Sequence, residues 1–163
     1  MSTVPSPWPV ASLDPLRRAK VIAAAVPGSA WVEGVLDAPY EATWGWVTDL
    51  PVSVPQFDFQ VRRIDVRARW IENGVERQRI VASGRGTKLG FDVWLEDGFC
   101  LMRGRRRLYL VVMAARPEEG GARTRFVHLE AVPLPGARVL RGVLRLAVRS
   151  DFRNLARIAS AGF

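Results

Sequence analysis

The sequence is poor in the side chains that form disulfides or bind metals. Its 163 residues include one cysteine, Cys100, and one histidine, His128. A single cysteine excludes an internal disulfide framework. One cysteine with one histidine gives little support for a metal site, since such sites usually combine several of these ligands. We therefore expect no metal and no other cofactor, and we interpret Cys100 as a small buried apolar residue.

Long apolar runs are also missing. No stretch reaches the roughly 18 apolar residues that a membrane-spanning helix needs. The first residues, MSTVPSPWPV, lack the basic end followed by an apolar run that marks a secretory signal. We therefore expect no membrane span and a cytoplasmic location. The hydrophobic content of 48% is sufficient for one domain with its own core.

Lysine is nearly absent, although the chain is strongly basic. The net charge is +8, and of the 24 basic residues only Lys20 and Lys88 are lysines. A basic balance favours a nucleic-acid or anionic-membrane partner, whereas a genome rich in arginine codons gives the same composition. Because the arginines are spread over most segments and no nucleic-acid-binding motif accompanies them, we expect no nucleic-acid partner.

The first part of the chain mixes helix and strand signals. We assign residues 1–28 to a tail and a short helix, Pro15–Val26, and residues 29–163 to one domain. A strand is predicted at Trp31–Leu36, followed by a helix that begins after Asp37-Ala38-Pro39. The Pro-interrupted segment Val52–Phe57 fits only a turn of helix or a loop.

The second part reads as a run of strands closed by one long helix. From about Phe59 the pattern is β, with a strong hairpin signal at Asn73-Gly74 and a last strand at Arg123–Val132. The longest helix is predicted at Ala137–Ser160. Because it is the only element long enough to cover the sheet, we predict an α+β fold in which a curved antiparallel sheet of about seven strands wraps around this helix. Such an arrangement tends to leave a cavity that suits a small molecule.

One acid lies on the apolar face of the long helix. Apolar residues recur there at steps of three and four, at Leu140, Leu144, Ala147, Leu155 and Ile158. Asp151 points the same way, although an unpaired buried carboxylate costs several kcal/mol. On the last strand His128 and Glu130 share one face. We interpret these three residues as polar groups that line an apolar pocket between sheet and helix.

Each of these three residues has a simpler alternative. Asp151 lies at the solvent side if the helix is rotated, where Arg149 or Arg153 can pair with it. Independently of the helix, His128 has the alternative of a core histidine with its hydrogen bonds satisfied, and Glu130 that of a position at the rim of the sheet. If the three converge, one carboxylate should have a raised pKa, because like charges resist joint ionisation, and His128 would be placed to act as a general base.

Several motifs resemble a known superfamily. The stretch V-L-D-A-P-Y-E-A-T-W-x-W-V-T-D (Val35–Asp49), then V-P-x-F (Val54–Phe57), the late stretch Met113–Glu130 and the helix ending D-F-R-N-L-A-R-I are similar to the START-like (SRPBCC) helix-grip superfamily. It contains polyketide cyclases/dehydrases and lipid-transfer domains. The resemblance covers about residues 29–160 and implies a ligand-binding domain over residues 29–163, with ligand anchors at His128 and Asp151. The superfamily has no universal catalytic motif, so the resemblance implies no mechanism.

These observations favour a carrier or sensor that binds a small hydrophobic or amphipathic ligand, such as a lipid, a polyketide-like molecule or an isoprenoid. The expected ligand-binding residues are Phe126, His128, Glu130, Val143, Ala147 and Asp151. The alternative is a polyketide cyclase/dehydrase-type enzyme in the same cavity, with His128, Asp151 and Glu130 as candidate catalytic residues.

Two features are expected at the surface, a basic helix face and a strand that is apolar on both sides. The arginines at 141, 145, 149, 153 and 157 recur every four residues, which is typical of a solvated helix face and also fits a surface that binds phosphate or an anionic membrane. Leu108–Met113 is apolar on both faces, so either Pro15–Val26 or a second subunit of a homodimer should cover its outer side. We expect the covering element to be Pro15–Val26.

Overall fold

The computed structural model describes residues 13–106 and 108–163. The tail expected at residues 1–12 and the basic residue Arg107 lie outside these ranges. Helices α1 (Pro15–Ala25), α2 (Tyr40–Thr48), α3 (Leu50–Phe57) and α4 (Arg141–Ala161) are present, and a short 3₁₀ helix, Ala137–Leu140, leads into α4. The strands are β1 (Ser29–Leu36), β2 (Arg63–Glu72), β3 (Val75–Gly84), β4 (Thr87–Glu96), β5 (Phe99–Gly104), β6 (Leu110–Glu118) and β7 (Arg123–Ala131).

The seven strands of the described residues form one antiparallel sheet in the order β1-β7-β6-β5-β4-β3-β2. Strands β2 to β7 follow one another as a meander, and β1 pairs with β7. The β2–β3 hairpin turns at Asn73 and Gly74, whose φ angles of 52° and 78° are those that an Asn-Gly turn provides. The predicted α+β helix-grip architecture is therefore confirmed, with two short helices after the first strand. Among the described residues, no helix is both long and apolar enough to cross a membrane.

Helix α3 is more regular than its sequence suggested. Pro51 occupies the first turn, where no backbone N–H is needed, and Pro55 lies inside the helix. Leu50, Val54 and Phe57 are buried on its inner face. The burial of these three side chains offsets the loss caused by Pro55, so the segment is helical where a turn or a loop was predicted.

Helix α1 covers the outer face of the sheet. Its buried residues Leu16 and Ala19 pack against side chains of β5, β6 and β7, among them Phe99, Val112 and Leu129. The prediction that the N-terminal helix covers the doubly apolar strand is thus confirmed.

Helix α4 packs mainly on β1, with further contacts to β7 and α3. Its buried residues are Leu144, Ala147, Val148, Asp151, Leu155 and Ala159. The five arginines of its series are exposed. The aromatic ring of Phe152 lies over Gly34 of β1, where an added Cβ would come within 2.5 Å of Phe152 Cζ. A side chain at position 34 would therefore push the helix away from the sheet.

Candidate functional site

A cavity lies between α3 and the concave face of the sheet. It encloses about 130 Å³. Most of its wall is apolar, and the polar groups that reach it include Asp58, Tyr109 and His128. The apolar wall includes Val54, Phe57, Ile64, Ile80, Phe91, Met102, Val111 and Met113. No side chain of α4 belongs to this wall, because α4 fills the half of the sheet's hollow next to β1 and β7, whereas α3 covers the other half.

His128 is the predicted site residue that reaches the cavity. It lies on β7 between Val32 of β1 and Met113 of β6, and it is only 3% exposed. Because side chains alternate along a strand, Phe126 and Glu130 point to the same concave face. Both are fully buried as well. The sequence therefore placed these three residues on the correct face of the strand.

Three titratable side chains meet behind this part of the wall. His128 Nε2 lies 3.3 Å from Glu130 Oε1 and 3.8 Å from Asp151 Oδ2. The hydroxyl of Tyr109 donates a hydrogen bond to the other oxygen of Glu130. Neither oxygen of Asp151 has a hydrogen-bond partner among the described residues, and His128 Nδ1 has none either. Asp151 is 1% exposed, so the rotated helix that would bring it to solvent is excluded.

Burial and proximity shift the pKa values of this cluster. The pKa of Asp151 is raised, chiefly by burial and further by the charge of Glu130, while His128 opposes the shift. Burial by itself lowers the pKa of His128, but Asp151 and Glu130 raise it more, to about 9. One carboxylate thus has the raised pKa expected of converging acids. Because His128 carries its proton at neutral pH, it is placed to donate a proton or a hydrogen bond, whereas the general base predicted at this position needs the neutral ring.

Sequence reasoning missed Asp58, which follows α3 directly. Burial is the main cause that raises its pKa to about 6, and the charge of Asp151 adds to the shift. Its carboxylate accepts a hydrogen bond from the backbone N–H of Gln60 at 2.7 Å, which acts in the opposite direction. The one available signal was its position immediately after the V-P-x-F motif.

The other residues predicted to line the cavity do not reach it. Val143 is 68% exposed, and its assignment to the cavity was wrong because the buried face of α4 is centred on Leu144, Ala147, Val148 and Asp151. Phe126 and Ala147 are buried in the core rather than exposed to the cavity. Glu130 contacts the cavity wall through His128 and Tyr109, and Asp151 contacts it through His128.

The same cluster contains donor atoms that could hold a divalent cation. Ligand atoms of His128, Glu130 and Asp151 all lie within 4.8 Å of one another. Carboxylate oxygens and imidazole nitrogens are common ligands of such ions. The expectation of no metal site considered only the single histidine and the single cysteine, and it overlooked the two acids. A cation here would have to replace the proton of His128.

Solved structures share this fold at low sequence identity. No protein-family model and no curated protein matches the chain. A solution structure from Thermobifida fusca is 14% identical over 82% of this chain and 94% of that one, with a TM-score of 0.62. The Zhui aromatase/cyclase from Streptomyces sp. R1128 is 12% identical over 81% of this chain and 93% of that one, with a TM-score of 0.56.

A third structure is the di-domain ARO/CYC BexL from the BE-7585A biosynthetic pathway. It is 13% identical over 90% of this chain and 54% of the di-domain chain, with a TM-score of 0.57. The sheet order and the long last helix on the concave face indicate the same fold as the likeness to these three structures. The chain has the helix-grip fold, the fold of the START-like (SRPBCC) superfamily.

Proposed function

We propose that this protein binds a small hydrophobic or amphipathic molecule in the cavity, as a carrier or sensor that acts in the cytoplasm. The lipid, polyketide-like and isoprenoid classes all fit an apolar wall with a few polar groups. The observation that carries the proposal is the position of His128, which is buried and faces the apolar cavity with one ring nitrogen unpartnered.

An unpartnered polar group is costly in the free protein. Leaving a buried donor without a partner costs about 1–3 kcal/mol. A carbonyl or hydroxyl oxygen of a ligand could accept the hydrogen bond from His128 Nδ1 and remove this cost. The apolar part of the ligand would at the same time cover side chains such as Phe91 and Met102. These two contributions favour a ligand with one polar atom at its inner end.

Two tryptophan variants on β5 test the proposal. Met102 faces the cavity, whereas the neighbouring Leu101 faces the outer side and packs with the α1 cluster. We expect octanol, titrated by calorimetry, to bind the wild-type protein and the Leu101→Trp variant but not the Met102→Trp variant, in which the new ring fills the cavity. Absence of octanol binding to the wild type, or equal binding to both variants, would contradict the proposal.

A polyketide cyclase/dehydrase-type enzyme is the second candidate. It is favoured by two groups of opposite charge on the cavity wall, His128 and Asp58. With pKa values of about 9 and about 6, His128 is protonated and Asp58 is largely ionised at neutral pH. In a dehydration, Asp58 would take a proton from carbon while His128 gives one to the leaving hydroxyl, which departs as water. The structures named aromatase/cyclase share the fold.

His128→Ala separates the two candidates. For an enzyme, the variant should lose turnover of a candidate polyketide while it keeps its affinity. For a carrier or sensor, only the affinity should fall. A variant with unchanged affinity and unchanged turnover would remove His128 from both proposals.

A further inference from the structure

The two ends of the sheet carry opposite charge. In an antiparallel meander alternate turns lie at the same end. The β2–β3, β4–β5 and β6–β7 turns carry acids, whereas the β3–β4 and β5–β6 turns carry arginines. The acids are Glu72, Glu96, Asp97, Glu118 and Glu119, and the basic residues at the other end are Arg62, Arg63, Arg85, Lys88, Arg105 and Arg106.

Ion pairing also differs between the two ends. At the acidic end arginines neutralise the turns, as in the pairs Arg77–Glu72 at 2.6 Å and Arg18–Glu96 at 2.8 Å. At the basic end Arg63 pairs with Asp65. Within residues 13–106 and 108–163, the other five basic residues of that end form no ion pair and are exposed. This end therefore has positive charge available for a ligand.

The cavity opens towards this basic end. Its wall includes Ser83, Gly84 and Thr87 at the tip of the β3–β4 hairpin. A cleft lined by Lys88, Arg105 and Arg106 shares Leu89, Phe91 and Tyr109 with the cavity. A second cleft, lined by Arg62, Arg63 and Arg85, shares the hairpin tip with it. Among the described residues, neither cleft has a carboxylate in its lining.

Among the described residues inside the cavity, acids outnumber the one cation, the protonated ring of His128 on the wall. Asp58 lies on the wall, and Glu130 and Asp151 lie behind His128. An anionic group would lose its water and meet these acids if it entered first. At the mouth the same group would stay hydrated and meet unpaired arginines. This arrangement therefore favours an anionic ligand and places its anionic group at the mouth of the cavity.

We infer that the ligand is an amphipathic anion, with an apolar body in the cavity and a carboxylate or phosphate group against Lys88, Arg105 and Arg106 at the mouth. This inference rests on the proposed function and adds the charge of the ligand to it. Long-range attraction of the anion to the basic end would also raise its association rate at low salt.

Matched probes test the charge preference. We expect wild-type protein to bind octanoate and octyl phosphate about tenfold more tightly than octanol, and octylamine more weakly than octanol, by calorimetry at low salt. The triple variant Lys88→Gln, Arg105→Gln, Arg106→Gln should lose this roughly tenfold advantage and keep its octanol affinity within about twofold. A preference for octyl phosphate over octanoate would assign the head group to phosphate, and the reverse to carboxylate.

A second triple variant controls for net charge. Arg149→Gln, Arg153→Gln, Arg157→Gln removes the same charge from the exposed face of α4, and it should change octanoate affinity by less than about twofold. Equal losses in the two triple variants, or an unchanged ratio of octanoate to octanol affinity in the first, would overturn the inference. If the wild-type protein binds octanol but shows no preference for the anions, the inference is overturned as well. The proposed function is unaffected by that result. Failure to bind octanol and both anions would overturn both.

Discussion

The hydroxyl of Tyr109 donates a hydrogen bond to the carboxylate of Glu130, and this bond joins the cavity wall to the buried acid behind His128. Burial is the main cause that raises the pKa of Tyr109, and the nearby acids add to it, so the hydroxyl remains protonated. Glu130 is only 2% exposed, so bulk solvent has little access to its carboxylate. The hydrogen bond therefore contributes more to the stability of the fold here than it would at the surface.

Tyr109→Phe should destabilise the protein by about 1–3 kcal/mol, because it leaves a buried carboxylate oxygen without its donor. Urea unfolding at neutral pH measures the effect. Tyr40→Phe is the matched control, since Tyr40 donates to the exposed Asp97 at 2.6 Å and should cost less than about 1 kcal/mol. Equal costs for the two variants would contradict this account of Glu130.

Stability should fall as the pH rises from 6.5 to about 9. The folded pKa of His128 is about 9 and its ordinary value is 6.5, so the folded state keeps a proton that the unfolded chain releases. The stabilisation, about 3 kcal/mol, is complete below the lower value and is lost as the pH rises through the higher one. The groups that face His128 are Glu130 and Asp151, with Asp58 nearby. His128→Gln should flatten urea-derived stability over this range, and a variant with the wild-type slope would show that another group titrates there.

We expect a second decrease of stability with rising pH, in a lower pH range. The pKa of Asp58 is raised from 3.8 to about 6 in the folded state, so the folded protein again holds the extra proton and stability falls as the pH rises between these values. Asp58→Asn should reduce this slope and leave the slope at higher pH in place. An Asp58→Asn protein with an unchanged profile below about pH 6 would mean that the Asp58 carboxylate is well hydrated in solution.

Gly34→Ala should destabilise the protein by about 1–3 kcal/mol, because the new methyl group meets the Phe152 ring and separates α4 from β1. Phe152→Leu in the same protein should recover part of the loss. Gly45→Ala is the control, since no atom lies within 4 Å of an added Cβ there, and this change should stabilise α2 by about 0.5–1 kcal/mol. Thermal unfolding of five proteins checks the pattern: the wild type, Gly34→Ala, Phe152→Leu, the double variant and Gly45→Ala. Additive effects of the Gly34 and Phe152 changes would argue against a direct contact.

Removing residues 1–27 should lower the melting temperature, because it uncovers the outer face of β6 and β7. Leu16→Ala tests the same contact with one side chain and should cost about 2–4 kcal/mol, since Leu16 is 3% exposed. Val21→Ala in the same helix is the control, because Val21 is 57% exposed and should change stability by less than about 0.5 kcal/mol. If the Leu16 change costs no more than the Val21 change, α1 does not bind the sheet in solution.

Local patterns were sufficient for the elements and for part of the site. The two-residue repeat of β7 placed His128 and Glu130 on one face, and the helical repeat of α4 placed Asp151 on the buried one. The cavity could not be located in this way, because its position depends on α3. The predicted turn or loop at Val52–Phe57 became a helix only through the burial of its apolar side chains against the sheet. The protonation state of His128 depends on the distances to two acids, and sequence spacing does not determine those distances.

Because β1 pairs with β7, the sheet can close only late in synthesis on the ribosome. The strand at Ser29–Leu36 is made early, yet within residues 13–106 and 108–163 its only neighbour in the sheet is the strand at Arg123–Ala131. Until about ninety further residues have been synthesised, this nascent segment has no partner edge, and its contact with α4 forms later still. The final closure of the sheet is therefore a late event in biosynthesis, and variants that slow it would expose the early strand to misassembly for longer.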